Sequence, residues 1–317
     1  MKIGDYKNLS FQLWSELPLL VPPAFTPLLA DPTFLTPDET PNKRWHLFAH
    51  TIFGITYYSS DNGINWTKEK IIVRAAMRPF IFKEGDNYYL FYEKYPALKL
   101  LFSPIVKTKW YSHIEMCSSR DLINWSKPEI VLNPELNFHQ DAILGKAISN
   151  PCLVKVNNRY RLYYSSSLVR IPDCGFNEPL HISFAESDQI NGDYEFYQKP
   201  VISPEVKNYW RNLGAGSMKV IRCEDGFVAF QNGIYEHNGI SGSAICLLYS
   251  DDGIAWNYLQ DSPILKPDAT VPWMASHIYA CDVKYYQGKL YLYFNARDYP
   301  HWSKGSEKIG LAVAITG

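Results

Sequence analysis

One unit recurs five times along the chain, and it is a unit that cannot bury both of its faces alone. It opens as strand, turn, strand: "RPFIFKEGDNYYLFYEK" from Arg78, "NPCLVKVNNRYRLYYSSS" from Asn150, "GSMKVIRCEDGFVAFQNG" from Gly216, "DVKYYQGKLYLYFNARD" from Asp282, and a looser copy, "DPTFLTPDETPNKRWHLFAHT", from Asp31. A short apolar run, then Gly, Asn or Asp, then a Tyr/Phe/Leu-rich run is the hairpin signature. A third alternating strand follows ("GITYYSS", "HIEMCSS", "HISFAES", "AICLLYS"), and then a polar turn closed by an aromatic. The turns read "SSDNGINW" from Ser59, "SSRDLINW" from Ser118, "ESDQINGDYEF" from Glu186 and "YSDDGIAW" from Tyr249. Ser and Asp suit such turns because their side chains bond the turn's own backbone. Trp66, Trp125, Phe196 and Trp256 are then expected to pack inward, and the turns themselves to be structural.

Four antiparallel strands per unit describe a propeller blade. The units start near Asp31, Arg78, Asn150, Gly216 and Asp282, at spacings of 47, 72, 66 and 66 residues. The sequence therefore predicts an all-β, five-bladed β-propeller occupying residues 1–317 as one domain, with insertions in all units but the first. The last unit stops at its third strand, "IGLAVAITG". Its missing outer strand is expected from "LSFQLW" near the start of the chain, ending at Trp14, which would close the ring and remove two exposed edges.

Composition narrows the function. A formal net charge of -1 over 317 residues lacks the basic face of a nucleic-acid binder. No run approaches the roughly 18 apolar residues of a membrane span. "MKIGDYKNLSFQLW" has no apolar core of a signal peptide, which points to the cytoplasm, although the mature form of a secreted protein would read the same way. The six cysteines stand singly, with no CxxC pair, as expected of reduced, mostly buried thiols. No metal-ligand motif is present and no cofactor is called for. Aromatics make up 15% of the chain, which suits β-structure and, at a few positions, stacking on sugars.

In a blade, the start of the first strand and the end of the second lie on one face. That face collects Asp31, Arg78, Asn150, Ser217 and Asp282 with His50, Glu93, Ser166, Asn232, Asn295, Arg297 and Asp298. Polar and charged groups in otherwise apolar segments cost desolvation energy unless they are paired or used. Asp31 is read as a general base or nucleophile. Asp282 is read as orienting substrate or tuning a neighbouring carboxyl. Glu93, the one Glu of the ring, is the acid candidate, and its plainer role is an ion pair with Arg78. His50, Arg78, Asn150, Asn295 and Arg297 are substrate-binding candidates. Trp273 and His277, just ahead of Asp282, suit a sugar platform, and His139 and Asp141 lie in loops feeding the same face. Two arginines would suit an anionic sugar or sugar phosphate, or would simply neutralise neighbouring carboxylates.

"ADPTF", "YYSSDNGINW" and "GDNYYLFYE", in their order, resemble the five-bladed glycoside hydrolases of family 43 and their family 32-like relatives, over nearly the whole chain. The resemblance implies an inverting glycosidase acting on a carbohydrate, with Asp31 as general base. The family's second-blade Asp corresponds to Phe80 here, and its Glu-Gly-Pro acid to Ser149, so two of its three carboxylates have no counterpart. Glycosidase with a relocated acid, a propeller adapted to another glycosyl transfer, and sugar binding without turnover all remain open. A sialidase-like reading rests on Ser59-x-Asp61-x-Gly63-x-x-Trp66 and on Arg170 in "VRIP", against that group's six blades and three site arginines.

Overall fold

The computed structural model describes residues 1–96 and 109–315. Among them there is no α-helix, and no helix is long and apolar enough to cross a membrane. The architecture is five four-stranded antiparallel sheets. The first runs Ala30–Leu35, Trp45–Thr51, Gly54–Ser60, Thr67–Arg74, and the second Ala76–Glu84, Asn87–Lys94, His113–Ser119, Glu129–Leu132. The third runs Ile148–Val156, Arg159–Ser166, His181–Ser187, Glu195–Phe196, and the fourth Met218–Cys223, Gly226–His237, Ile240–Ser250, Asn257–Tyr258. The fifth takes His277–Tyr286, Lys289–Arg297 and Glu307–Ile315 from the end of the chain and Gln12–Leu13 from its beginning. Gln12 lies opposite Val313 and Leu13 opposite Ala312, and the Trp14 amide donates to the Leu311 carbonyl at 2.9 Å. The last sheet thus gains its outer strand from the segment expected to supply it.

The first strands of the five sheets pack side by side: first on second, second on third, third on fourth, fourth on fifth, and fifth on first. Polar bonds stitch these seams. Thr33 donates to Asp282 at 2.7 Å and accepts from the Ile81 amide at 3.1 Å, so one hydroxyl ties the fifth, first and second sheets. Asn232 and Ser243 both donate to the Ile278 carbonyl at 2.7 Å, joining fourth to fifth. Between the sheets lies an aromatic and aliphatic core, and all six cysteines are buried free thiols.

The polar turns do what their chemistry predicts. Ser60, Ser119 and Ser250 accept from the amides of Gly63, Leu122 and Gly253, while Asn62, Asp121 and Asp252 each accept from two further amides. Three of the closing aromatics cross to the preceding sheet: Trp66 onto Tyr293, Trp125 onto Phe48 and Trp256 onto Tyr163. Phe196 instead packs on Tyr164 of its own sheet.

Two small sheets lie outside the repeat. One joins Trp110–Tyr111, Gln140–Asp141 and Gly145–Lys146; the other is the hairpin Val169–Ile171 with Phe176–Glu178.

Candidate active site

The first strand of four of the five sheets is interrupted near its start by a shift in register, at Ala30/Thr33, Met77/Phe80, Ser149/Cys152 and Ile278/Cys281. In the first three sheets the interruption holds Asp31, Arg78 and Asn150, each directly before a proline and each in the left-handed region, at φ 50°, 54° and 49°. Gly216, at φ 60°, occupies the same place in the fourth sheet, and Tyr279–Ala280 span it in the fifth. Proline donates nothing to a ladder, and non-glycine residues resist positive φ. Backbone strain of this kind persists only where the surroundings enforce it, and it concentrates at functional sites. All these residues line one cavity of about 840 Å³.

The second strands add His50, Asn232, Asn295 and Arg297 to the same cavity, the third strand of the fifth sheet adds Glu307, and the hairpin outside the repeat adds Glu178. Asp31 lies 3.1 Å from His50 Nδ1, and its amide donates to Asn295 Oδ1 at 3.1 Å. A carboxylate only accepts, so Nδ1 must carry the hydrogen when it bonds Asp31; the Arg78 amide, 3.3 Å from the same nitrogen, then competes for that edge. Burial pushes the Asp31 carboxyl upward, but the His50 bond and the Arg78 and Lys219 charges outweigh it and hold it below the ordinary carboxylate range.

Glu178 has the opposite surroundings. Burial dominates, Glu307 and Asp31 add like charge, and the opposing pull of Arg78 and Arg297 is too weak, so the carboxyl is pushed up to about 8. Glu307 is also pushed up by burial, although Arg297 pairs with it at 2.6 Å and Asn295 donates to it at 2.9 Å. The Tyr279 hydroxyl is buried and has no hydrogen-bond partner among the described residues. Its ring is stacked on His277, with centroids 5.4 Å apart.

Of the residues singled out in the sequence, Asp31, His50, Arg78, Asn150, Ser217, Asn232, Asn295 and Arg297 come together here. Arg170 also lines the cavity, exposed to solvent. Four of the catalytic and substrate-binding candidates, and Ser166 and Asp298, do not line it. Glu93 sits wholly buried beneath Arg78, bound to it at 2.6 Å, with Oε1 unpartnered among the described residues. Asp282 stands three residues beyond Tyr279, which occupies the place of Asp31, and turns into the seam, accepting from Thr33 and from the Phe34 amide. Trp273 is buried against Phe294, and its indole donates to the Glu16 carbonyl at 3.0 Å. His277 is buried among Ser276, Ser241 and Cys174, and burial drives its imidazole down to about 4.

The loop residues follow suit. His139 bonds Tyr164 and the amides of Glu135 and Leu136, and Asp141 caps the amides of Ile143 and Leu144. The two arginines read as an anion site each hold a carboxylate instead, Arg78 with Glu93 and Arg297 with Glu307. Among the described residues, no group of three or more His, Cys, Asp or Glu side chains is placed to hold a metal ion.

No protein-family model matches the chain, and no curated relative does. Solved structures do. A thermostable family-43 glycoside hydrolase superposes with a TM-score of 0.63 at 14% identity, over 92% of this chain and 91% of that one. So does a structure described with the family 130 mannoside phosphorylases, a family containing glycoside hydrolases that target β-1,2 mannosidic linkages in Candida mannan (TM-score 0.65, 15% identity, 96% and 93% covered). An N-acetylgalactosamine deacetylase from F. plautii, in complex with blood group B trisaccharide, gives 0.66 at 12% identity over 96% and 95%. The chain therefore shares its fold, over more than nine-tenths of its length, with glycoside hydrolases.

Proposed function

We propose that the five sheets close into a five-bladed propeller and that the cavity hydrolyses a glycosidic bond by general acid–base catalysis. The cyclic packing of first strands and the borrowed strand Gln12–Leu13 support the ring. The observation that carries the chemistry is that two carboxyl groups in one cavity are driven apart, Asp31 downward and Glu178 up to about 8. Near neutral pH the first is a base and the second an acid, which is the division of labour glycoside hydrolysis needs.

In this reading Asp31, oriented by His50, takes a proton from water as the water oxygen attacks the anomeric carbon. Glu178 gives its proton to the departing glycosidic oxygen as the carbon–oxygen bond breaks. Asn150, Asn232 and Asn295 offer donors and acceptors to sugar hydroxyls. Glu178 thus takes the acid role that sequence position alone assigned to Glu93, and Asp282 holds the sheets that carry the site.

The test is a panel of aryl glycosides with the wild type, Asp31→Asn and Glu178→Gln. Each variant should lose about 10²–10⁴-fold in rate without unfolding. For Glu178→Gln the loss should shrink as the phenol leaving group becomes more acidic, because such a group departs without a proton. The configuration of the first-formed sugar, followed by proton NMR, decides inversion. Sugar binding with no turnover of any glycoside would overturn the hydrolytic reading and leave a sugar-binding propeller.

A further inference from the structure

The cavity is ordered by depth in an unusual sense. Its deepest walls are polar: Asn295 and Arg297 are 1% and 2% exposed. Its most exposed walls are mainly apolar: Ile143 is 81% exposed and Trp302 53%. Between these extremes stand the half-buried apolar Met77, Trp110, Leu144 and Phe176 together with the polar Asp31, Arg78, Asn177 and Glu307, and Arg170 is charged and exposed. A water-filled entrance normally shows the reverse, and an exposed apolar patch beside a polar pocket marks something that covers it.

The two zones also differ in origin. The polar floor comes largely from the repeat: the interrupted first strands and the second-strand ends. Nearly all of the apolar collar comes from segments outside it. Trp110, Ile143 and Leu144 belong to the three-stranded small sheet and its turn, Phe176 to the accessory hairpin, and Trp302 to the loop after the fifth sheet's second strand. The collar is held in place. Asp141 accepts from the Ile143 and Leu144 amides at 2.8 and 2.7 Å, the Trp110 amide donates to the Leu144 carbonyl at 2.8 Å, and the Trp302 amide donates to the Cys174 carbonyl at 3.0 Å.

A further sugar unit passing through this collar would find stacking surface on Trp110 and Trp302. Its hydroxyls would find nothing on Ile143, Leu144 or Met77 and only Arg170 and Asn177 beside them, and burying hydroxyls without partners is costly. The volume of about 840 Å³ lies in the upper part of the range that takes drug-sized ligands.

Building on the glycoside reading above, we infer that the substrate is an amphiphilic glycoside. Its sugar sits on the polar floor, and its leaving group is an apolar alkyl or aryl chain held by the collar of Ile143, Trp302, Trp110 and Met77. Each methylene taken from water is worth roughly fourfold in affinity, so seating two or three of them gives more than about tenfold.

The experiment is calorimetric, on the wild type and on the double variant Ile143→Ser/Trp302→Ser, whose sites are exposed enough to leave the fold intact. The probes are matched methyl and n-octyl glycosides of glucose, galactose and mannose in both anomers, below micelle-forming concentrations, with an octyl oligoethylene glycol ether as the sugarless control. The expected result is that, for the sugar that binds, the octyl form binds at least about tenfold tighter than the methyl form. That advantage falls below about threefold in the double variant, with methyl glycoside affinity unchanged. Equal affinity of methyl and octyl forms overturns the amphiphile inference while leaving the glycoside reading intact. Binding of the octyl ether as tight as that of every octyl glycoside, or no binding of any glycoside, overturns both.

Discussion

Arg78 Nη1 and Glu93 Oε2 are 2.6 Å apart, with the arginine facing the cavity and the glutamate sealed completely beneath it. A buried ion pair is weak evidence of net stability, but removing one partner leaves a desolvated charge behind. Glu93→Gln should therefore act on the fold before the chemistry. Its expected cost is about 3 kcal/mol, at the low end of the range for broken buried pairs because Arg78 keeps some solvent. Chemical denaturation of the variant checks this, and an unchanged midpoint would contradict it.

The pH profile of kcat should be set by Asp31 and Glu178. Activity rises as Asp31 loses its proton, below the ordinary carboxylate range, and falls as Glu178 loses its own near 8. The alkaline limb should vanish from the profile of Glu178→Gln, measured on a glycoside with an activated leaving group.

The same glutamate makes the fold pH-sensitive. Its carboxyl is near 8 in the folded chain against 4.5 unfolded, so between these values the folded state binds the extra proton. Stability from this group is fully present below about pH 4.5 and is lost as pH rises from there through 8. Glu178→Gln removes that loss. Urea midpoints should be higher for the variant than for the wild type at pH 8.5, with a smaller gap at pH 5, even though the variant is the less active protein.

Tyr279→Phe separates binding from folding. Its buried hydroxyl has no partner among the described residues, so deleting it abandons none. The melting temperature should hold or rise. If the hydroxyl serves the substrate, kcat/KM should fall by about tenfold or more, the value of one good hydrogen bond. A drop in melting temperature with full activity would make Tyr279 a packing residue.

Deleting residues 1–14 removes the strand beside Glu307–Ile315 and the Met1–Glu224 and Ile3–Asp225 contacts onto the fourth sheet. The melting temperature should fall by more than about 5 °C, equivalent to a few kcal/mol for a chain of this size. Wild-type melting would show that the edge strand is dispensable.

The strands and their order were legible because hairpin and turn chemistry is local: Ser60 and Gly63, or Ser250 and Gly253, lie within one turn of each other. Asp31, Arg78 and Asn150 were legible because a polar residue before proline stands out in an apolar strand. Asp282 was misplaced by three residues because the fifth sheet has no proline to mark its interruption, which falls at Tyr279–Ala280. Glu178 was missed because it lies in an accessory hairpin with no counterpart in the repeat to align it. It nevertheless carries the same signal, a polar residue directly before a proline, Pro179. Burial, which singles out Glu178 chemically, is a property of chain segments distant in sequence and could not be read from its neighbours.

The left-handed steps at Asp31, Arg78 and Asn150 have a consequence for how such a protein can change. At each of them the backbone leaves the ladder because of the proline and the register shift, not because of the side chain it carries. Each therefore works as a socket on the cavity, although the one at Arg78 is tied electrically to Glu93 behind it. Exchanging the reagent in a socket alters what the cavity does while the strands on either side keep their partners. Laboratory redesign of this chain should start from Asp31 and Asn150, because exchanging Arg78 would leave the buried Glu93 without its partner.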